Sequence, residues 1–546
     1  MVARPDDPVG RVVTSASADH RNGSVGGDGH GALAVLSPGS ASASRAPAQG
    51  WMLPLAVLIV GSFMSVLDTS IVNVAISRIQ NEFGATTENV QWVANGYTLT
   101  LGVVVPLSAW LSDRFGLSRL YIVSLLGFGA GSALCGLAGS LNTLVAFRIA
   151  QAIGGGILPV LTLSILYRIV PREKIGTAMG LYGLGVLVAP GIGPSLGGYL
   201  VEYVSWRWIF YVNVPIAILG AIAAVLVLPH FPGVRTGRFD ALGFLTVATG
   251  LSALLLALSE GQLWGWGSYK ILVLLTVSVL SLALFVVIEL EMDEPLLDVR
   301  VFRYWAFTNS LLLISVLSIG LFAVLFYIPL LLQMGMGLAP FPTGLVLLPQ
   351  ALVLAVLTPI SGRLYERIGP RWLAVVGLLI VAVSTYRMHQ ITLDASQSEI
   401  MWLLVFRAVG LGLCLIPIFT SGIASLPLAQ VPQASAFNNL VRQTSSALGV
   451  AAFTALLTRQ QAQQLSNRAA LLPAKTPIPH LPPGIPRWLG TYAVDQQTQL
   501  QSFANAVDWL FIIVAILTAA GVILAMFLRS GRAPASDGPD AAALAG

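Results

Sequence analysis

Four ionisable side chains stand out because they lie inside long apolar stretches: Asp68, Arg148, Arg407 and Arg442. A charge inside a bilayer costs roughly 3 kcal/mol on insertion scales and usually has a function. In a dry cavity the charged form of Asp68 loses its hydration, which favours the protonated form. We therefore expect Asp68 to take up a proton on one side of a membrane and release it on the other. The alternatives are that it caps a kinked helix or pairs permanently with an arginine.

Arg148 stays protonated in any environment. We expect it to hold a nearby carboxylate ionised in one conformation and to release it in another, with Gln151 and Ala152 on the same helical face. In the alternative, Arg148 has a structural role and donates to facing carbonyl groups. Arg407 and Arg442 are weaker candidates, since each could simply reach toward the interface or tie helices together.

An acid-Arg-x-Gly turn occurs twice, at Asp113–Gly116 and at Glu366–Gly369. The offset of the two acids, 366 − 113 = 253, nearly equals that of Arg148 and Arg407, 407 − 148 = 259. Such a repeat indicates a transporter built from two related membrane halves. In the first turn, Asp113 can cap a helix or pair with a basic residue and so hold one conformation. A short basic turn that serves only topology is the alternative. The candidate gating residues are Asp113, Arg114, Gly116 and Arg119.

Small residues recur at intervals of four between residues 185 and 197, which leaves one helix face without large side chains. They are Gly185, Ala189, Gly193 and Gly197, with Pro194 and Gly198 beside the last two. This spacing lets two helix backbones approach closely, and a proline permits a bend. The pattern predicts a hinge or seal, or close packing alone.

The composition is that of a membrane protein. Of 546 residues, 56% are hydrophobic and only 10% are charged, against about 25% charged in soluble domains. The net charge of +5 lies mainly in short loops, which argues for topology and against nucleic-acid binding. The two cysteines fall in apolar stretches and the histidines are dispersed. We therefore expect neither catalytic residues nor a metal site, and with no phosphate-binding G-x-x-x-x-G-K-[ST] loop we expect no ATP-driven pumping.

The apolar stretches predict about fourteen transmembrane helices, because a span needs about 20 residues and lipid offers no partner for backbone amides. The predicted spans are 52–76, 91–111, 120–139, 143–169, 175–201, 206–229, 241–259, 270–290, 306–332, 343–364, 372–388, 400–428, 434–458 and 506–528.

Basic residues concentrate on one side of these spans, the side that an even count assigns to both termini. They are Arg114, Arg119, Arg168, Arg172, Lys174, Arg235, Arg238, Arg300, Arg303, Arg363, Arg367, Arg371, Arg529 and Arg532. The positive-inside rule therefore places both termini in the cytoplasm. Residues 1–50 are polar and aperiodic, which predicts a disordered tail. The Pro- and Gln-rich loop 459–505 is interpreted as a solvated connector or as a docking surface for a periplasmic adaptor or another cell-envelope partner.

Six segments in a fixed order resemble the signature segments of a known family: Leu67–Ala75, Ala109–Tyr121, Arg148–Gly156, Gly185–Gly198, Ser205–Pro215 and Phe239–Gly243. The chain resembles the major facilitator superfamily and, within it, the 14-span drug:proton antiporters of the EmrB/QacA type. The segment Asn438–Thr444 and the long last outer loop are closer to EmrB. The span at 343–364 has no acid, whereas QacA-like handling of divalent cations is associated with one there, so we expect lipophilic, neutral or singly charged cargo.

The resemblance implies an all-α membrane protein with the major facilitator fold, two six-helix pseudo-symmetric halves plus two extra helices. The expected organisation is a tail at 1–50, the N-terminal half at 51–230, two inserted helices at 231–304, the C-terminal half at 305–530 and a cytoplasmic tail at 531–546. In this family the Arg148–Gly156 segment is linked to protons and Gly185–Gly198 is the antiporter motif.

The expected function is proton-coupled efflux of lipophilic or amphipathic drugs by alternating access across the bacterial plasma (inner) membrane, driven by the proton motive force without a cofactor. Protons, lipophilic small molecules and membrane lipids are the expected partners. A dedicated exporter of a native metabolite, lipid or siderophore is the alternative. The cavity should lie near the bilayer midplane between the halves. Its candidate lining residues are Asn73, Trp92, Asn95, Tyr97, Tyr327, Gln350, Phe437 and Asn438.

Overall fold

The computed structural model describes residues 50–233, 239–292, 295–471 and 487–528, and the regular structure in these ranges is helical. Apart from Gly50, both predicted tails lie outside the described residues, as do four of the basic residues used to predict orientation. These four are Arg235, Arg238, Arg529 and Arg532. The middle of the outer loop, 472–486, lies outside them as well.

Fifteen α-helices follow one another along the described chain. They are α1 Met52–Phe83, α2 Thr87–Phe115, α3 Leu117–Gly136, α4 Leu141–Ile169, α5 Ile175–Tyr203, α6 Trp208–Tyr211, α7 Asn213–Val227, α8 Ala241–Trp264, α9 Tyr269–Glu291, α10 Trp305–Leu330, α11 Pro340–Ile368, α12 Pro370–Met388, α13 Gln397–Ala424, α14 Val431–Leu471 and α15 Arg487–Met526. Counted with α6 and α7 as one span, the described residues contain fourteen long helical segments over the fourteen predicted spans.

Thirteen of these segments are long and apolar enough to cross a membrane. The exception is α2, which has 29 residues but carries polar groups in its first half. These groups face protein: Asn95 Nδ2 donates to Glu260 Oε1 of α8 at 3.1 Å, and the Thr98 carbonyl accepts from Gln443 of α14 at 2.6 Å. Neighbouring helices therefore supply hydrogen-bond partners for the polar first half of α2.

The two copies of the repeated turn have the same backbone conformation. Gly116 separates α2 from α3 with φ 85°, and Gly369 separates α11 from α12 with φ 84°. This positive φ region favours glycine because a Cβ would clash with the backbone. At Gly116 an added Cβ would also overlap the carbonyl oxygen of Phe231. The conformational match supports the internal repeat, and we call the end of the bundle that holds both turns the turn end.

Helix α5 lies between the two halves of the bundle and presents a small-residue face to each neighbour. On one face, a Cβ at Gly193 would overlap the Ser70 hydroxyl of α1, and one at Gly197 would lie 2.8 Å from Ile71. On the other face, a Cβ at Gly180 would lie 2.7 Å from the Thr358 carbonyl oxygen of α11. The predicted stripe thus packs against α1, and a second stripe, not anticipated from the sequence, packs against α11.

The remaining helices complete and extend this body. Helix α8 packs on α2 and α14, whereas α9 packs mainly on α8 and leaves large apolar side chains such as Leu280 and Val279 exposed to the surroundings. Such a surface is compatible with lipid as its solvent. Helix α14 continues to Leu471 and α15 begins at Arg487. The described ends of the outer loop, expected to be a connector, are therefore helical.

The stripe facing α1 yields a stability prediction with an internal control. Gly193→Ala should lower the free energy of unfolding by about 1 to 3 kcal/mol, because the new methyl group overpacks the α1–α5 contact. Gly198→Ala should be neutral or slightly stabilising, since no heavy atom lies within 4 Å of its Cβ and alanine is the better helix former. Thermal unfolding of both purified variants in detergent measures the difference, and equal melting temperatures would contradict it.

Candidate functional site

Asp68 of α1 and Arg148 of α4 form a buried ion pair. Arg148 Nη1 lies 2.5 Å from Asp68 Oδ2, and the side chains are 1% and 0% exposed. Arg148 Nε also donates to the Val93 carbonyl of α2 at 3.2 Å, and its guanidinium lies 4.0 Å from the centroid of the Tyr97 ring. The structure therefore brings the two predicted proton-coupling residues together.

Two amide side chains complete the environment of the carboxylate. Gln151 Nε2 donates to Asp68 Oδ1 at 3.0 Å, while its Oε1 accepts from Arg148 Nη1 at 2.8 Å. Asn213 Nδ2 of α7 donates to Asp68 Oδ1 at 3.2 Å and contacts Ser132 Oγ of α3 at the same distance. One carboxylate thus accepts hydrogen bonds from a guanidinium and two amides in a site closed to solvent.

The sequence assigns no individual role to Asn213, whose only signal is an amide inside an otherwise apolar span. Nor does it single out Glu260, which lies one residue beyond the predicted span 241–259. It is 2% exposed and accepts from Asn95.

A cavity of about 130 Å³ lies between the two halves. Its wall is formed mainly by apolar side chains from α4, α5, α10, α11, α13 and α14, with Val66 from α1. Five of its polar lining residues are Ser318, Gln350, Arg407, Asn439 and Arg442. Pockets that enclose a drug-sized ligand hold about 300–1,000 Å³, so in this conformation the cavity is smaller than such a pocket.

Of the eight predicted cavity residues, Gln350 lines this cavity and the other seven lie elsewhere. Tyr97 stacks on Arg148, and Tyr327 Oη contacts Thr454 Oγ1 at 2.8 Å. Phe437 packs edge to face on Phe302 with 5.0 Å between ring centroids. The remaining four are Asn73, which is exposed, Trp92, which is half-buried, Asn95, which bonds Glu260, and Asn438, which is fully buried.

The physical reason for this difference is helical rotation. One residue along a helix turns the side chain by about 100°, so Asn439 lines the cavity while its neighbour Asn438 does not. The sequence identifies an amide-rich segment but not which amide faces the gap between halves.

The predicted gating turn lies against the segment that follows α7. Asp113 is half-buried, Arg114 and Arg119 are exposed, and Ser118 Oγ donates to the Pro229 carbonyl at 2.5 Å. These contacts stay within the first half of the chain.

The second copy of the turn makes a contact between the halves. Glu366 Oε1 of α11 accepts from the backbone N–H of Thr177 at 2.7 Å and from its Oγ1 at 2.8 Å. Thr177 lies in the first turn of α5, where the backbone N–H groups have no partner within the helix and the helix dipole favours an anion. The repeat drew attention to this glutamate, but the sequence could not identify α5 as its partner.

Gly185, Ala189, Gly193 and Gly197 of the segment that resembles the antiporter motif form the α1-facing side of α5 described above, whereas a Cβ at Gly198 would meet no heavy atom of the described residues within 4 Å. Ser70 Oγ lies 3.5 Å from the Ala189 carbonyl oxygen, and Gly185 faces Ile59. Helix α5 is continuous from residue 175 to 203 through both Pro190 and Pro194.

Two helical halves that meet at a cavity, with a buried acid–base pair in one of them, define a polytopic membrane transporter. Residues 58–450 match the Major Facilitator Superfamily, and the chain belongs to that family. It is a transporter and not an enzyme, and the predicted all-α fold of two six-helix halves with two extra helices is confirmed.

Relatives extend the family assignment. The chain is 36% identical over 406 residues to the uncharacterized MFS-type transporter YhcA of Bacillus subtilis, covering 74% of this chain and 76% of that one. It is 29% identical to the multidrug resistance protein B homolog of Mycobacterium tuberculosis, covering 89% and 91%. The relatives include drug-efflux transporters of the 14-span type, as the resemblance implied. The solved proton:xylose symporter XylE shares the fold, with a TM-score of 0.57 and 13% identity over 87% of this chain and 95% of that one.

The ion pair yields a prediction for the cost of breaking it. Arg148→Gln should destabilise the protein by about 3 to 5 kcal/mol, because it leaves the Asp68 carboxylate buried without its cation. Adding Asp68→Asn should recover much of that loss, since the remaining groups are neutral. Thermal unfolding of the single and double variants measures the recovery.

The control is the partly exposed ion pair of Arg207 and Glu82, whose side chains are 32% and 38% exposed. Arg207→Gln should cost less than about 1 kcal/mol, because solvent screens that pair. An Arg148→Gln variant as stable as Arg207→Gln would contradict the interpretation of the buried pair.

Proposed function

We propose that the protein is a proton-coupled antiporter that exports lipophilic or amphipathic compounds across the bacterial plasma membrane by alternating access. The observation that carries the proposal is the buried Asp68–Arg148 pair. Asp68 lies on α1, two residues from Val66, which lines the cavity. A protonatable carboxylate and a substrate cavity therefore share one helix. The multidrug resistance relative and other drug-efflux relatives support this cargo class.

Protonation of Asp68 would remove the charge that holds Arg148. The contact that joins α1 to α4 would then lose the attraction between two opposite charges and keep only a hydrogen bond from the Arg148 guanidinium, which stays charged, to a neutral carboxyl group. Helix α1 also contacts α5 through Ser70 and Ile71, and α5 contacts α11 of the other half. Directly packed helices thus connect Asp68 to the interface between the two halves.

The Glu366–Thr177 contact is proposed to be the gate at the cytoplasmic side. Described basic residues that are predicted to be inside, such as Arg114, Arg168 and Arg371, lie at or beside the turn end, which supports a cytoplasmic position for that end and for both termini. With this contact formed, α5 and α11 are joined there. Loading from the cytoplasm then requires the contact to break, and release outside requires it to form.

The range of compounds that the protein exports distinguishes the two candidate functions. A broad exporter protects against many unrelated lipophilic compounds, whereas a dedicated exporter of a native metabolite, lipid or siderophore protects against few or none. Susceptibility measured with and without expression decides between them. Export that is unaffected when the outer loop 459–505 is shortened would argue against the proposed adaptor contact there.

Asp68→Asn tests the proton role at nearly constant side-chain volume. Substrate added to proteoliposomes should cause no proton movement in this variant, and uphill export should be lost, because Asn cannot exchange a proton. The variant leaves Arg148 without its anion and should be less stable, so substrate binding is first shown to persist in the reconstituted protein, and downhill exchange should persist with it. A pH-sensitive dye and a compound from the susceptibility panel provide the measurement.

Glu202→Gln is the matched control, because Glu202 is an exposed carboxylate at the far end of α5 and should behave as the wild type. Proton movement in Asp68→Asn at the wild-type rate would overturn the assignment. So would uphill export by the wild type after the pH and voltage differences are collapsed.

Glu366→Ala tests the gate. Loss of the cap on α5 should cost about 1 kcal/mol, which raises the ratio of cytoplasm-open to cytoplasm-closed molecules roughly fivefold. Spin labels at Arg168→Cys and Arg371→Cys, both exposed at the turn end, should show a larger long-distance population. The native Cys135 and Cys414 are buried.

Glu173→Gln is the control, because Glu173 is an exposed carboxylate near the same end of α5. Equal distance distributions in the Glu366→Ala and Glu173→Gln variants would refute the gate.

A further inference from the structure

The central cavity carries positive charge without a matching acid. Arg407 of α13 and Arg442 of α14 both line it, and no aspartate or glutamate is among its lining residues in the part of the chain that the structure describes. The other polar groups named above, on Ser318, Gln350 and Asn439, are neutral. The rest of the wall is mostly aliphatic and aromatic.

Arg407 contrasts with Arg148, its counterpart in the internal repeat. Arg148 is neutralised by Asp68, whereas Arg407 donates through Nε to Thr385 Oγ1 at 3.2 Å and through Nη2 to the Gly320 carbonyl at 2.9 Å. Both acceptors are uncharged, and the guanidinium is 1% exposed. Among the described residues, the buried arginine of the first half is therefore paired with an acid, and its counterpart in the second half is not.

Arg442 is half-buried at the wall of the cavity. No carboxylate lies within ion-pair distance of it or of Arg407 among the described residues. A charge taken out of water without a partner is unfavourable, and a bound anion would remove that penalty. The fork of guanidinium donors matches the two oxygens of a carboxylate or a sulfonate.

We propose that the cavity selects lipophilic organic anions, compounds with an aromatic or aliphatic body and one carboxylate or sulfonate group. Arg442 is the main contact, because it lines the cavity and, within the described ranges, makes no hydrogen bond or ion pair that fixes it, with the neutral Tyr182 nearby. Arg407, held by Thr385 and Gly320, adds a second positive charge. Phe322 and Phe419 of the wall receive the apolar body. This assignment rests on the proposed function and specifies the class of compound that is exported.

Three probes with the same ring system test the selection: 2-naphthoate, 2-naphthamide and 2-naphthylmethylammonium. Dissociation constants are measured with the full chain in nanodiscs, with empty nanodiscs subtracted. The naphthoate should bind at least about tenfold more tightly than the amide, because a desolvated charge pair contributes that much or more, and the ammonium should bind most weakly. Equal or tighter binding of the amide or the ammonium, or no saturable binding of the naphthoate, would overturn the proposal.

Variants locate the selection in the cavity. Arg442→Gln should abolish the preference for naphthoate over naphthamide while leaving the affinity for naphthamide within about twofold, and Arg442→Lys should retain part of the preference because the charge remains. Arg363→Gln removes an exposed arginine of α11 and should leave the preference unchanged. An unaltered preference in Arg442→Gln would overturn the role of Arg442. The wild-type ranking of probes does not depend on any variant folding.

Proton movement with the same probes separates this proposal from the proposed function. If the ammonium elicits proton movement in proteoliposomes and the naphthoate does not, the anion assignment fails and antiport stands. If the naphthoate binds with the expected selectivity and no probe elicits proton movement, antiport fails and the anion site stands.

Discussion

The constraint on which this structure depends is that an acid and a base buried in an apolar bundle must be kept together. Asp68 and Arg148 lie on different helices, so the pair fixes α1 against α4, and the amides of Gln151 and Asn213 complete the shell. Removing a single partner leaves an uncompensated buried charge, which is far more costly than losing a surface pair. A proton is the one small species that can neutralise the acid without altering the shape of the site. This makes the pair suited to a switch and not only to a tie.

Helix α5 determines which parts of the protein can move when Asp68 gains or loses a proton. Its two small-residue faces bring its backbone into direct contact with α1 on one side and with α11 on the other. Contacts at backbone distance cannot be compressed, because protein interiors are already packed to the density of organic crystals. Displacement of α1 must therefore be accommodated by a rigid shift of α5 against α11, or by separation of the halves. Rigid-body motion about such an interface is an established form of conformational change. The Glu366 cap on α5 lies at one end of this same interface, where a small separation is enough to break it.

Much of this architecture could be predicted from the sequence, because lipid enforces long apolar helices and a duplication repeats its turns. The positions of the fourteen spans and the matching Gly116 and Gly369 turns follow from those rules. The rarity of charge inside apolar spans singles out Asp68 and Arg148, although it does not by itself pair them. The details that depend on helix rotation and on partners distant in sequence could not be predicted. Gln350 faces the cavity, but Tyr97 turns toward Arg148. Glu366 finds its partner 189 residues away. An apolar helix in a membrane shows little contrast between its faces, so periodicity does not reveal which face meets a neighbour.

In the proposed proton-driven cycle, the charge of the cargo determines how much the membrane potential contributes. A membrane potential of 100 mV contributes about 2.3 kcal/mol per elementary charge. One proton moving inward in exchange for a neutral compound transfers one charge, whereas exchange for a univalent anion transfers two, so voltage contributes about 4.6 kcal/mol instead of 2.3. Exchange for a univalent cation transfers no net charge and leaves only the pH difference, about 1.4 kcal/mol per tenfold. In the described residues, two arginines at the cavity have no carboxylate partner, while Asp68 in the other half is paired with Arg148. In the proposed cycle these features act together, because a cavity that selects anions would couple transport to voltage most strongly for each proton consumed.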